Sequence, residues 1–510
     1  MSTTWLALSH GRSVARSEIP TVELNEFAKT LAAARADGAR LAQLFGHRTA
    51  PDAMTVYAIV GRPADGDYAV CSTELRGPDP LAYPAATSAW PAAQAFEREL
   101  AEEHGVIPTG HPWLKPLRYK PTVSGAPAPW GPFRPDVPIP GDYPFYRVEG
   151  EEVHEVAVGP VHAGVIEPGH FRFMCHGEDV LHLEIVLGYQ HRGVEALLMH
   201  PHPVRAIMAA ETIAGDASIA HATAYAGALE GLADVEPSGR ANMIRAAALE
   251  LERLANHVGD LGALSLDVGY LPCASYLGRL RGDFLNLTLD ICGNRFGRNL
   301  VRPGGVAFDI EPARAASLRD RLTKFQGELL PVLDLLFSSS SVLARFEGTG
   351  AVSGETAEEI GLVGPAARAS GLELDVRHDH PTGVYRFFAI PVATESSGDV
   401  YARAAIRWVE IQRSLVFLQD VLKGAWEGDL RRPLGALRPN ALAMGVSESW
   451  RGEAMHVAIT DGDGRIEKVK AKDPSMHNWF GLAQALRGVA ISDFPICNKS
   501  FNLSYAGHDL

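Results

Sequence analysis

Apolar residues recur at helical spacing through the second half of this chain. In RANMIRAAALELERLANHVGDLGALSLDVG, Ile244, Leu251, Leu254, Val258 and Leu261 fall on one face, which predicts a single long helix. SYLGRLRGDFLNLTLDICGNRF, EPARAASLRDRLTKFQGELLPVLDLLF and VYARAAIRWVEIQRSLVFLQDVLKGA predict three more, and long helices in succession predict a bundle. β-Rich runs flank it: HFRFMCHGEDVLHLEIVL before, and MHVAITDGDGRIEKVKAK near the end, with a hairpin around Asp461–Gly464.

The front of the chain has a different rhythm. VELNEFAKTLAAARADGARLAQLFG, from Val22, keeps helical spacing throughout. MTVYAIV and YAVCSTEL are β-rich and separated by GRPADGD, a hairpin signal. AWPAAQAFERELAEEHG predicts a second helix, so residues 1–119 read as a small α/β domain. The segment KPTVSGAPAPWGPFRPDVPIPGDYP then holds eight of the chain's 34 prolines. Proline fixes φ and lacks a backbone donor, so this stretch is neither helix nor inner strand. An extended linker over 120–150, wrapping the next domain, is the expectation. Residues 151–510 form the main domain, and the expected fold class is α+β. There is no internal repeat.

Composition narrows the function. At 46% hydrophobic and 21% charged, the chain reads as a soluble globular protein. Its 47 basic and 61 acidic residues give a net charge of −14, against a nucleic-acid footprint and against docking on anionic lipid by charge alone. The first twenty residues lack a signal h-region, and no apolar run reaches the length of a membrane span. The five cysteines are scattered, with no C-x-x-C spacing, which suggests neither a disulfide framework nor a zinc module and fits a reducing cytoplasm. No phosphate-binding glycine loop stands where a dinucleotide fold needs one.

Several motifs follow one another in order: GPVHAGVIEPGHFRF (Gly159–Phe173), GYQHRGVEALL (Gly188–Leu198), RAAALELERLANHV, GPAARASG with DVRHDHP, and SWRGEAMH. Together they resemble the large subunit of complex-I-like, membrane-associated [NiFe]-hydrogenases, including formate hydrogenlyase, and its relative, the quinone-site subunit of respiratory complex I. FERELAEEHGVIPTGHPWLKPLRY (Phe96–Tyr119) is similar to complex I's small peripheral subunit, which formate hydrogenlyase fuses to its large subunit. The resemblance implies a small iron–sulfur partner that carries the cluster and antiporter-like membrane subunits. It implies a place on the inner, cytoplasmic face of the cell membrane through those partners. No redox cofactor is expected on this chain itself, and a quinone is the acceptor the resemblance allows.

The resemblance also locates a site. Hydrogenases of this family carry R-x-C-G-x-C at ETIAGDASIAHATAY and a second C-x-x-C at the chain's end. Here the arginine's place is Thr212, and the four thiolate positions are Ala214, Ala217, Ser504 and Gly507. Soft sulfur donors suit nickel and iron; alanine and glycine offer none, and serine offers a hard oxygen. No metal is therefore expected. The quinone-site tyrosine's place falls at about Gly215, and the partner histidine is His162 or His170.

The remaining chemistry has open alternatives. Glu167 matches a proton-relay glutamate, or else binds nearby backbone. Asp216 is a pocket acid, or the first-turn acid of a helix starting there. His170 and Arg172, two apart on a strand, face one side, where they handle protons or charge or pair structurally. His378 and His380 would share a strand face as a ligand pair, but the family match falls on Arg377 and Asp379, an Arg–Asp pair tying two elements. His221 orients pocket groups, meets the iron–sulfur partner, or is a core histidine. Glu250, Arg253 and His257 share a helix face, either as a proton line or as a solvated surface. Arg451, Gly452 and Glu453 form the R-G-E loop, beside the pocket or in surface ion pairs.

Overall fold

The computed structural model describes residues 4–50, 52–62, 66–78, 80–123, 129–130, 139–162, 166–424 and 426–510. Residues 63–65 of the GRPADGD turn, 163–165 of the GPVHAGVIEPGH motif, and 124–128 and 131–138 of the proline-rich segment lie outside the described residues.

The front builds an antiparallel sheet in the order β1–β5–β4–β3, from β1 (Leu6–Leu8), β3 (Arg40–Ala50), β4 (Ala53–Arg62) and β5 (Asp67–Arg76). Helices α1 (Leu24–Ala36) and α2 (Gln94–His104) accompany it. The helix expected over Val22–Gly46 ends at Ala36, and RLAQLFG is a strand. Gly38 takes φ +80° and closes the turn between them. The apolar spacing carried past that turn by coincidence, and tertiary pairing with β4 decides it.

Residues 1–119 are not a self-contained unit. β2 (Arg12–Ala15) leaves the front sheet and joins β9 (Ala441–Ser449), β10 (Gly452–Thr460) and β11 (Ile466–Lys472) in a second four-stranded sheet, ordered β11–β10–β9–β2. β6 (Val153–Val158), β7 (His170–His176) and β8 (Asp179–Val186) form a third sheet. The described part of the linker lies over it: Tyr146 N–H donates to Glu184 at 2.9 Å, and the Phe145 ring is 5.5 Å from that of His170.

The four long helices are present as α4 (Gly239–Asp267), α5 (Leu271–Cys292), α6 (Pro312–Ser338) and α7 (Val400–Val421). The five apolar residues read on α4 are all buried. Among the described residues, no single helix is long and apolar enough to cross a membrane. Helix α3 (Ser218–Ala233) lies on β9 at backbone distance. A Cβ placed on Gly445 would sit 1.8 Å from the Ala224 carbonyl oxygen and 2.7 Å from the Ala228 nitrogen. The small-residue sequence of α3 and the glycine opposite it are therefore one requirement: backbone packed on backbone.

Gly445→Ala should destabilise the chain by about 1–3 kcal/mol or more, since both clashing atoms are main chain. A drop in the urea midpoint at unchanged slope would register it; an unchanged midpoint would mean that α3 can back away.

Candidate functional site

The turn Thr212–Ala217 leads into α3 and faces the loop between β9 and β10 and the tail around α8 (Tyr505–Asp509). Asp216 and Arg451 close this junction with a two-pronged ion pair at 2.7 and 2.8 Å. Arg451 is buried and stacks 3.9 Å over the Trp450 ring, and its Nε donates to the Asn502 carbonyl at 2.5 Å. Burial disfavours the guanidinium charge, but Asp216 outweighs it and raises the arginine's pKa. Trp450 and Asn256 both donate to the Asp216 carbonyl, at 3.0 and 2.8 Å. Asp216 is thus held from both ends, and Arg451 and Glu453 of the R-G-E loop are buried rather than in surface ion pairs.

Glu167 enters from the loop before β7. Its carboxylate accepts the Ala506 and Tyr505 N–H groups at 3.3 and 3.4 Å. Burial raises its pKa, and Asp216 adds to that shift while Arg451 opposes it. Glu167 thus bonds backbone of the distant tail rather than of its own strand, and its proton affinity is raised.

The four positions read as thiolate equivalents converge here with other roles. Ala214 and Ala217 pack with Trp450 in a small buried apolar cluster. Ser504 accepts the Gly507 N–H at 2.8 Å and caps the last helix. A Cβ on Gly507 would lie 2.6 Å from the Asp473 carboxylate carbon. Asp473 accepts from His221 Nε2 at 2.9 Å, and His221 Nδ1 meets His456 Nε2 at 3.1 Å, all three fully buried. His221 is therefore an internal histidine and is not free to meet a partner subunit. Gly215, read as the place of the relatives' quinone-site tyrosine, has only the Arg298 guanidinium near its Cβ position, at 3.7 Å.

Other expectations need correction. His170 and Arg172 share a side of β7, as their spacing requires, with Arg172 Nε donating to His170 at 3.2 Å. That side faces Gly159, Phe145 and Glu155. Glu167 instead meets the tail, where it accepts the Tyr505 and Ala506 N–H groups. His162 bonds the Gly169 carbonyl at 3.1 Å. Arg377 pairs with Asp375, at 2.6 Å, and with Glu250, at 3.1 Å, instead of Asp379. Asp379 accepts the Asp375 N–H at 2.9 Å, closing a short helix over Val376–Asp379. That helix also separates His378, which is exposed, from His380, which is buried 4.0 Å from the Tyr68 ring.

Glu250, Arg253 and His257 form no solvated face; each is fully buried. Glu250 accepts from Arg253, Arg377, Tyr385 and Ser414. His257 bonds Glu410 at 2.8 Å, and Arg368 bridges Glu410 and Glu448. Burial disfavours these charges, but the arginines around Glu250 and Glu410 outweigh it and hold both carboxylates below the usual range. Sequence reasoning missed Asp473, His456, Asn502, Glu410 and Glu448. Asp473 stands in DPS, which reads as a helix start, His456 closes the SWRGEAMH motif without being singled out, and the others have no local motif.

The fold and the site together define a large subunit of the complex-I-like hydrogenase and NADH dehydrogenase type. Residues 267–438 match the family described as respiratory-chain NADH dehydrogenase, 49 Kd subunit, and residues 18–143 match its 30 Kd subunit. The membrane-bound hydrogenase subunit alpha of Pyrococcus furiosus is 31% identical over 366 residues, 68% of this chain and 85% of that protein. Formate hydrogenlyase subunit 5 of Escherichia coli is 29% identical over 445 residues, 84% of this chain and 77% of that protein. NADH-quinone oxidoreductase subunit 4 of Thermus thermophilus is 29% identical over 370 residues, 67% of this chain and 90% of that protein. The chain belongs to this family, with its 30 Kd and 49 Kd parts fused in one polypeptide. A solved chain of the membrane-bound sulfane sulfur reductase, an archaeal respiratory membrane complex, shares the fold at a TM-score of 0.66 and 24% identity, covering 72% of this chain and all of that one.

Gly507→Ala should cost about 1–3 kcal/mol through overpacking on Asp473. Adding Asp473→Ala should recover part of that loss, and melting of the two single variants and the double would show the coupling. Glu252 gives a pH test. Burial pushes its pKa up to about 8, while it accepts the Ile219 and Ala220 N–H groups. The folded state thus holds a proton that the unfolded chain releases near pH 4.3, so Glu252 weakens folding as pH rises from there to about 8 and adds no further change above. Glu252→Gln should gain stability relative to wild type across that window in urea titrations.

Proposed function

We propose that this chain is the large subunit of a membrane-attached, complex-I-like oxidoreductase complex that works without a Ni–Fe centre. In this reading it docks a small iron–sulfur subunit and couples electron transfer to proton or ion movement in membrane subunits. It sits peripherally on the cytoplasmic face of the cell membrane. The observation that carries the metal-free reading is Asp473 against Gly507: a thiol there would collide with the carboxylate that binds His221. Ala214 and Ala217 supply no donor atom, and the Ser504 oxygen is committed to a cap. These residues do not fit a Ni–Fe cluster, so no step is routed through one.

What remains is proton chemistry. Glu167, with its raised pKa, holds a proton near neutrality more readily than a free glutamate. The Asp216–Arg451 pair beside it presents fixed, oriented charge without reorganisation. Such a site suits reduction of a small acceptor that takes up protons, and a quinone is the class the family resemblance supplies. The acceptor's reduction consumes electrons from the partner's cluster and protons handed on by Glu167.

Nickel analysis of the purified native complex should find far less than one nickel per chain; stoichiometric nickel would overturn the metal-free reading. Glu167→Gln should lower quinone-dependent turnover by about 10²-fold or more, while His170→Ala, facing Phe145, should stay near wild type. Full turnover in Glu167→Gln would remove the proton-donor role, and no quinone-dependent turnover in the wild-type complex would favour a non-catalytic scaffold joining the iron–sulfur subunit to the membrane arm.

A further inference from the structure

Away from the Asp216–Arg451 junction, two adjoining cavities run from the surface to the buried ions on α4. The outer one, about 270 Å³, opens beside Arg12, Asp234, Arg386 and Arg432. The inner one, about 40 Å³, ends at Arg377, Tyr385 and Glu448. They share His10, Asn242, Arg245 and Gly383 as common walls. The inner space holds about two or three waters by volume. It is also polar: Thr223 Oγ1 and Ser447 Oγ line it, are shut from bulk solvent, and have no partner in the protein. Buried hydroxyls left this way are ordinarily satisfied by internal water.

The walls favour proton passage over ion passage. His10 Nδ1 accepts the Val446 N–H at 3.0 Å, which leaves Nε2 as the protonated nitrogen of its neutral ring. Burial lowers its pKa to about 4, so it adds no charge to the passage at neutral pH. Arg245 is neutralised by Glu230, at 2.6 and 3.1 Å. At the inner end, Glu448 accepts from Arg368 at 2.9 Å and from the Val376 N–H at 3.2 Å. Arg253, Arg368, Asp375 and Arg377 surround it. Burial and Asp375 push its pKa up to about 7, against the pull of the three arginines.

We propose that the two cavities are one water-filled inlet that brings protons from solvent beside Arg386 and Arg432 to the Glu448 carboxylate. In the step itself, a hydronium in the inner cavity gives its proton to a Glu448 oxygen. A neutral water is left behind, and the carboxylate becomes a carboxyl group. Loss of the proton to water reverses both changes. The network of Glu410, His257 and Glu250 then feels a change in charge at its edge through Arg368 and Arg377, which both sides share. The inlet does not depend on the acceptor or metal content of the complex.

The test is infrared spectroscopy of the full chain after a pH jump. The carboxyl band to follow is the one missing in Glu448→Gln. It should appear and vanish reversibly around neutral pH in wild type. In Ser447→Val with Asn242→Leu, which fills the passage and leaves Glu448 in place, it should reach the same end point at least tenfold more slowly. Thr223→Val, nearly the same size, should slow it in the same direction and serves if the double variant does not fold. Equal rates in wild type and the filled or Thr223→Val variants would overturn the inlet, as would a Glu448 band that never titrates between pH 5 and 9.

Discussion

A charge taken out of water must be met by another charge or by hydrogen bonds, and this constraint organises the centre of the molecule. Helix α4 carries Glu250, Arg253 and His257 through a fully buried setting. Removing one partner of such a pair commonly costs about 3–5 kcal/mol, because the survivor is stranded. Arg368, Arg377, Glu410 and Glu448 therefore arrive from separate parts of the chain, and their meeting fixes α7, the short helix at Val376 and the end of β9 around α4. A second ionic layer joins the front domain to β10 and β11. Glu99 and Glu103 on α2 meet Lys470, and Arg40 and Lys472 both meet Glu453. Glu453 follows Arg451 by two residues and Lys472 precedes Asp473, so the strands that hold the front domain also hold the candidate site.

The pattern of apolar residues made the four long helices and both flanking β-rich runs legible, because their spacing and burial agree. It failed where a turn was needed inside a continuous apolar rhythm, at Gly38, and where a strand was lent across the chain, at Arg12–Ala15. The partner of Arg12–Ala15 lies more than four hundred residues away, so no local window contains that pairing, whereas β4 follows β3 directly and the unbroken apolar rhythm hid the turn. The site was legible in outline: Glu167, Asp216, Arg451, Ser504 and Gly507 do converge. The partners that give them their roles were not. Asp473 reads only as a helix start, His456 as the end of the SWRGEAMH motif, and Asn502 has no motif of its own. His170 and Arg172 share one side of their strand as read, but Glu167, three residues before His170, meets the tail instead.

The junction at Thr212–Ala217 is a closed polar contact. Where the family resemblance implies four sulfur ligands, this chain has an apolar pair under Trp450, a helix cap and a carboxylate–imidazole pair. At Ser504 and Gly507 a neighbouring group uses the space: the hydroxyl caps the last helix, and the Asp473 carboxylate lies against the glycine.

Strand β2 has a consequence for how the polypeptide is made. Ala15 pairs with Ala441, and His10 bridges to Met444, across more than four hundred residues. On a ribosome, synthesis at roughly 5–20 residues per second leaves the early segment waiting tens of seconds for its counterpart. The front sheet can assemble meanwhile, but its second neighbour cannot. Such distant pairings are slow to close, and an unpaired edge invites the wrong strand. The cell's folding helpers thus have a defined client: the stretch after β1, from emergence until the last third of the chain is out.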